Sequence, residues 1–365
     1  MNILIISDAW APQINGVVRT LEATVRELSL MGHKVHVVGP DPDQLFTFAM
    51  PFYPEIKVEF FARRRMSRIF RSLAPDFIHI ATEGPLGWAA RGLCLHEGRP
   101  FTTSYHTRFP EYLAARVPSL LSRPITYMAY AVLRRFHAPA GAVMIATASM
   151  ERELSAHKFR HLVRWSRGVD TQLFHTYEKP FSCYQTLPRP ILLYVGRVAV
   201  EKNLRAFLEL KTQGSLIIIG DGPDLNALKK QYPGAHFKGS LKGTELAEHY
   251  AAADLFVFPS TTDTFGLVLL EACASGLRIA AYPAPGPKDI FESKETKAFV
   301  ALESDLSIAV TRALALPDTR EAPRAFAMGF SWQSCALQFY THLQAPSPKA
   351  RRKLLRWRQR IGEGM

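Results

Sequence analysis

Cysteine is scarce in this chain. Four residues, Cys94, Cys183, Cys273 and Cys335, are scattered over 365 positions without the paired spacing of a metal site. Neither a disulfide framework nor a zinc module fits that pattern, which predicts reduced thiols in a cytoplasmic protein. No apolar run reaches the roughly 20 residues that span a bilayer, and the opening MNILIISDAW lacks the basic start and small-residue cleavage site of a signal peptide. Export and membrane spanning are therefore not expected. Two phosphate-binding fingerprints are also missing. No GxGxxG follows the first strand-like run, which argues against a dinucleotide-dependent dehydrogenase, and no GxxxxGK(S/T) loop occurs. A literal Asp-x-Asp, Asp41 and Asp43, lies between prolines in GPDPDQ and reads as a turn, so no metal is expected.

Apolar residues are plentiful, at 47%, and the length exceeds what one core usually supports, so two domains are expected. The net charge of +13 is unevenly spread. Residues 1–176 hold 21 Lys+Arg against 14 Asp+Glu, residues 177–348 hold 17 against 17, and residues 349–365 hold 7 against 1. The excess sits at the two ends of the chain.

The run NILIIS leads through DAWAPQING into Val18, Leu21, Val25, Leu28 and Met31 at helical spacing, ended by Gly32. KVHVVG follows as a second strand and completes a β-α-β unit, the crossover that parallel strands require. FIHIAT, FTTSYHT and AVMIATAS extend the sheet. A polar, proline-containing stretch over 175–190 reads as a hinge. Beyond it PILLYVGR, SLIIIGDG, AHFKGS, LFVFPS and LRIAAY alternate with helical patterns such as DLNALKKQY. The expected class is α/β, with Rossmann-like domains over 1–174 and 175–328, a helix within 329–345 and a basic tail over 346–365.

In such sheets ligands bind beyond the carboxyl ends of the strands. Gly16 stands at a helix start, where backbone N–H groups favour a phosphate; a plain turn glycine is the other reading. In GRVAVEKN, Arg197 ends a strand and Lys202 follows five residues later, two cations that would clamp a diphosphate or form a surface ion pair with Glu201. In STTDTFGLVLLEACASG, Asp263 precedes an apolar helix closed by Gly276, and Glu271 lies eight positions on, about 12 Å of helix rise. The two acids would grip one extended polar ligand, with N–H groups around Phe265, Gly266 and Leu267 between them; an N-cap and an internally paired glutamate are the structural alternative.

These motifs, together with IIGDGPDLNAL and SDAWAPQINGVVRTL, resemble the retaining GT-B glycosyltransferases of family 4, among them bacterial glycolipid glycosyltransferases and mannosyltransferases. The resemblance covers roughly residues 1–345. It implies two Rossmann-like domains facing across a cleft, with the last helix crossing back to the first domain. It also implies an E-x7-E element, here Asp263 toward the transferred sugar and Glu271 toward the ribose. Asp263 is one methylene shorter than the usual glutamate, which leaves the donor sugar open. By the same resemblance Gly16, Arg197 and Lys202 bind the diphosphate of a nucleotide sugar, and backbone of Phe265 to Leu267 touches the sugar. His106 in SYHTRF lies near the reacting centre, and Gly220 with Ser240 and Leu241 flanks the base. The implied reaction is front-face retention without a protein nucleophile or a metal.

The basic ends then call for a partner. FFARRRMSRIFRSLAP interleaves Arg63, Arg64, Arg65 and Arg68 with Phe60, Phe61, Met66, Ile69 and Phe70, and KARRKLLRWRQR interleaves Arg352, Lys353 and Arg356 with Trp357. Such segments suit an anionic membrane surface. A peripheral enzyme on the inner face of the cytoplasmic membrane, acting on a lipid acceptor, is the expectation; LLSRPITYMAYAVLRRF would help it dock or, as such stripes more often do, pack in the core. Assembly of a surface polysaccharide is the competing enzymatic reading. A nucleic-acid binder is the reading from another class, disfavoured because no recognition module is present.

Overall fold

Strand β1 (Asn2–Ile6) opens the chain with Ile3 to Ile6 fully buried, which only a strand covered on both faces allows. The computed structural model describes residues 1–344 except 14, 42–46, 51–52, 60–61, 115–116 and 177–181. Two compact units result. The first is Met1–Ser166 joined by the segment from Gln333 onward, and the second is Arg167–Trp332.

In the first unit β1 pairs in parallel with β2 (Lys34–Val38) and β5 (Phe77–Ile80), and the sheet continues through β6 (Thr102–Ser104), β7 (Val143–Ile145) and β8 (Leu162–Arg164). The order is β2-β1-β5-β6-β7-β8, while β3 (Thr47–Met50) and β4 (Tyr53–Glu59) form a separate antiparallel pair. Helices α1 (Gly16–Leu30), α2 (Arg63–Leu73), α3 (Pro85–Glu97), α4 (Phe109–Ala114), α5 (Ser119–His137) and α6 (Ala148–Ala156) fill the connections. Asn15 starts α1 by accepting from the N–H groups of Val17 and Val18, each at 3.0 Å. Leu4, Ile6, Met66, Phe70, Leu86, Ala90 and Phe136 share one core cluster. Met66 and Phe70 are fully buried there, at roughly 1.5–3 kcal/mol of transfer free energy each. That corrects the expectation that the apolar residues of α2 interleave with its arginines on one outward surface. Their helical spacing aims them at the sheet, while Arg63, Arg64 and Arg68 face water; Phe60 and Phe61 lie outside the described residues.

The second unit orders β11-β10-β9-β12-β13-β14, all parallel, from β9 (Ile191–Val195), β10 (Ser215–Ile219), β11 (His236–Gly239), β12 (Leu255–Phe258), β13 (Arg278–Ala281) and β14 (Val300–Leu302). Its helices are α7 (Leu204–Leu208), α8 (Leu225–Gln231), α9 (Gly243–Ala252), α10 (Leu267–Ala274), α11 (Pro285–Ile290), α12 (Leu306–Ala315) and α13 (Glu321–Ala327). Arg320 donates to the carbonyls of Ala251 (2.8 Å) and Ala253 (2.9 Å), and Arg324 to that of Ala274 (2.9 Å), so two guanidinium groups satisfy the carboxyl ends of α9 and α10. The final helix α14 (Trp332–Leu343) belongs almost entirely to the first unit, where Phe339 is fully buried.

Candidate active site

Strand order reverses between β9 and β12 in the second unit, and the loops beyond those two strands flank the position where open α/β sheets take ligands. Both carry the expected residues. Arg197 follows β9, half-buried, with its carbonyl accepting from the Tyr194 hydroxyl at 2.8 Å. Burial, then the charges of Asp263 and Glu201, pushes Tyr194 well up from its ordinary pKa, so this hydroxyl stays a donor. Lys202 ends a single 3-10 turn, Val200–Lys202, and its Nζ lies 2.5 Å from Asp263 Oδ1. Thr262 donates to the Glu201 carbonyl (3.0 Å) and Asn203 to that of Pro259 (3.3 Å), so the loops are stitched at three points. The other Asp263 oxygen, Oδ2, is buried without a hydrogen-bond partner among the described residues. It is an acceptor left over for a ligand hydroxyl.

The apolar helix starts later than its sequence suggests. Gly266 takes φ +95°, a left-handed conformation that a side chain resists, and α10 begins at Leu267. Phe265 is buried just ahead of it. Glu271 is 6% exposed and accepts from the Tyr250 hydroxyl of α9 at 2.9 Å. On the far side of β9, Gly220 N–H donates to the Gly239 carbonyl (2.7 Å), and a Cβ at Gly220 would lie 1.8 Å from the Gly196 carbonyl oxygen. Neighbouring strand ends therefore finish in bare backbone, next to exposed Ser240 and half-buried Leu241. Gly196 was not singled out in the sequence; a glycine directly after β9 and another directly after β10 was the available signal.

The first unit uses its own reversal point, between β1 and β5, differently. Asp8 accepts from the N–H groups of Leu86 (2.9 Å) and Gly87 (3.2 Å) and from the Thr82 hydroxyl (2.9 Å). The start of α3, an anion site by its dipole, is thus filled by a carboxylate of the protein. Burial outweighs those bonds and raises the Asp8 pKa. Gly16 is the first residue of α1, exposed, with open space where a Cβ would stand.

His106 follows β6, its Nε2 2.8 Å from Ser104 Oγ and its ring edge-on to Trp165 with centroids 5.7 Å apart. The same loop is pinned by Arg108, whose guanidinium meets Glu153 at 2.5 Å; the Tyr130 hydroxyl lies 2.6 Å from both Glu153 and Glu111. Of the basic residues, Arg63, Arg64 and Arg68 are exposed on α2. Arg65 turns inward: its Nε donates to Glu59 at 2.9 Å and another guanidinium nitrogen to the Gly39 carbonyl at 2.7 Å. Glu59 is 1% exposed, so the charge of Arg65 is taken up inside the unit. Arg352, Lys353, Arg356 and Trp357 lie outside the described residues. The α5 stretch, read as a docking aid or as core, exposes Leu121, Tyr127, Met128 and Val132, at 50%, 72%, 61% and 49%. It is apolar on two sides, burying Tyr130, Leu133 and Phe136 on the other.

Residues 14–173 match the family Glycosyltransferase Family 4, and residues 189–315 match Glycosyl transferases group 1. A GDP-mannose-dependent alpha-mannosyltransferase of Mycobacterium tuberculosis is 30% identical over 320 residues, 81% of this chain and 82% of that one. An alpha-monoglucosyldiacylglycerol synthase of Streptococcus pneumoniae is 29% identical over 360 residues, covering 88% and 80%. The sucrose-phosphate synthase of Thermosynechococcus elongatus superposes with a TM-score of 0.75 over 93% of this chain and 97% of that one, at 20% identity, a likeness of fold. The two matched segments carry the very loops described above, and with them the chain belongs to the GT-B glycosyltransferases of family 4, enzymes that transfer a sugar from a nucleotide sugar.

Proposed function

We propose that this glycosyltransferase moves a hexosyl group from a nucleoside-diphosphate sugar to a hydroxyl of a membrane lipid, diacylglycerol or a glycolipid, at the inner face of the cytoplasmic membrane. The observation that carries the donor half is the convergence of Arg197, Lys202 and Asp263 beyond β9 and β12. Without donor, Lys202 is held by Asp263. A bound diphosphate competes for that ammonium, and Asp263 is released to accept from sugar hydroxyls, while Glu271 takes the ribose. Gly16 supplies N–H groups to the diphosphate, and Gly220, Ser240 and Leu241 border the base.

The reaction proposed is metal-independent front-face retention. The bond from the anomeric carbon to the β-phosphate oxygen breaks as the acceptor oxygen bonds that carbon on the same face, and the acceptor proton passes to the departing phosphate. Arg197 and Lys202 meet the charge that develops there, and the remaining contribution is orientation. His106 lies beside the reacting sugar.

The acceptor half is supported by the charge and by α5. Residues 1–166 with 333–344 hold 20 Lys+Arg against 13 Asp+Glu, whereas residues 167–332 hold 18 against 18. Leu121, Met128 and Val132 recur along one outer side of α5, with Arg123 and Arg135 exposed nearby. A basic unit with an exposed apolar helix suits an anionic bilayer, and no helix among the described residues is long and apolar enough to cross one. The name of the pneumococcal relative points to the same acceptor chemistry.

A thermal-stability screen of GDP-mannose and UDP-glucose, followed by product analysis with lipid extract, tests this reading. The true donor raises the melting temperature, since a ligand at 100 times its Kd adds about 2.7 kcal/mol to the folded state. Sugar appearing in the lipid fraction with retained configuration supports the proposal. A product of inverted configuration, or transfer to soluble oligosaccharide alone, overturns it.

A further inference from the structure

Two strands of the first unit carry polar side chains in the middle of an apolar sheet. His79 of β5 is fully buried, with Nδ1 2.9 Å from Thr102 Oγ1 and Nε2 3.1 Å from Ser104 Oγ, both on β6. Ser104, also fully buried, reaches two more groups: the Ala81 carbonyl at 3.2 Å and His106 Nε2 at 2.8 Å. A serine hydroxyl has one proton and two lone pairs. The Ala81 carbonyl can only accept, so the arrangement that satisfies all three contacts sends the Ser104 proton to Ala81. Both histidines then donate to Ser104 through Nε2–H.

The other end closes consistently. Burial, with His137 nearby, pushes the His79 pKa down to about 3, so this ring is neutral and has one proton. With that proton on Nε2, Nδ1 accepts from the Thr102 hydroxyl. The rings are also walled in. Phe339 of α14 meets His79 edge-on at 4.7 Å and Trp165 at 4.9 Å, and Trp165 is locked by its Nε1–H donating to the Cys335 carbonyl at 3.2 Å.

We infer that Ser104 and His79 are positioning residues for glycosyl transfer: the buried run Thr102–His79–Ser104 holds the His106 imidazole in one orientation and one tautomer, with the proton on Nε2. In the neutral ring the acceptor nitrogen is then Nδ1, and any group bonded there is a donor. The inference rests on the reading that His106 belongs to the transfer site.

The test uses the full chain with 15N-labelled histidine. Long-range proton–nitrogen NMR at neutral pH reads the tautomer of each ring directly, without donor or acceptor. His79 and His106 in the wild type are expected as Nε2–H, and in Ser104→Ala the His106 signals are expected to move to a tautomer mixture. With GDP-mannose or UDP-glucose as donor, Ser104→Ala is expected to lower kcat about tenfold while KM for the sugar nucleotide changes less than about twofold. A wild-type His106 protonated on Nδ1, a Ser104→Ala variant with an unchanged tautomer, or an unchanged kcat overturns the inference. If the wild type turns over neither sugar nucleotide, the transfer reading fails separately, because the NMR measurement judges the network by itself.

Discussion

Lys202 and Arg197 differ in what their removal does. Lys202 is bound to Asp263 with only 20% and 17% of their side chains exposed, so the pair is largely shielded from water and loss of one partner leaves the other charge part-buried. Its proposed work is in the transition state, where charge develops on the leaving phosphate. Lys202→Ala and Arg197→Ala are each expected to reduce kcat by about 100- to 1,000-fold, the range for losing one charge-stabilising donor. Circular dichroism should show both variants folded, with a lowered melting temperature for Lys202→Ala, which leaves Asp263 part-buried without its ammonium. Near-normal turnover in both variants would sink the diphosphate assignment. His79 makes a different kind of prediction. Its folded-state pKa is depressed from 6.5 to about 3, so the unfolded chain binds the proton first as pH falls. The stability it contributes is complete above 6.5 and is lost as pH falls from there toward 3. Between about pH 6.5 and about pH 5 this amounts to roughly 1.5 kcal/mol. Urea titrations should show that slope in the wild type and a shallower one in His79→Gln.

Among the elements, α10 and α9 depend on arginines far away in sequence. Arg324 donates to the carbonyls of Ala274, Phe174 and Thr171, and Arg324→Ala leaves part-buried acceptors without their charged donor. A loss of about 2 kcal/mol follows, read as a lower urea midpoint with an unchanged m-value. On α5, Met128→Glu places a charge on the exposed apolar side without touching the core. It should leave the melting temperature alone and reduce binding to anionic vesicles; unchanged binding would remove α5 from the membrane argument. The contrast between α2 and α5 shows what was legible in the sequence. Strand runs and loop motifs could be read because buried parallel strands are continuous apolar runs and ligand loops follow their carboxyl ends. Which side of a helix meets the core could not be read. Met66 and Phe70 looked fit for lipid and are core, while the stretch holding Leu121 and Met128, open between docking and core, exposes both. Helical periodicity reports a stripe, and only packing says what covers it. The Lys202–Asp263 and His79–Ser104 pairs were hidden for a related reason. Each depends on which strands are neighbours, β9 with β12 and β5 with β6, and strand order is set by the whole sheet.

At the scale of the molecule, charge divides the labour. Residues 167–332, which hold the proposed donor loops, are neutral in sum, while the excess of basic residues belongs to residues 1–166 and to the sequence after 344. On the proposed reading, a neutral donor unit bearing a local cation pair would bind one diphosphate without attracting every polyanion. On the same reading, a basic acceptor unit would gather at an anionic surface, where each well-placed cation contributes about 1 kcal/mol. The segment 349–365, with seven Lys+Arg against one acid, would dominate that attraction. Flotation with phosphatidylserine-containing vesicles should therefore recover the full chain, and a chain ending at Ala345 should partition at least about tenfold more weakly, since more than one cation is lost. Both should bind less as ionic strength rises, because the Debye length shrinks from about 10 Å at 0.1 M to about 3 Å at 1 M salt. The residual salt-resistant binding of the shorter chain measures the apolar part contributed by Leu121, Tyr127, Met128 and Val132. Flotation of neither chain at low salt would remove the bilayer as the acceptor's source and leave a soluble acceptor as the surviving alternative.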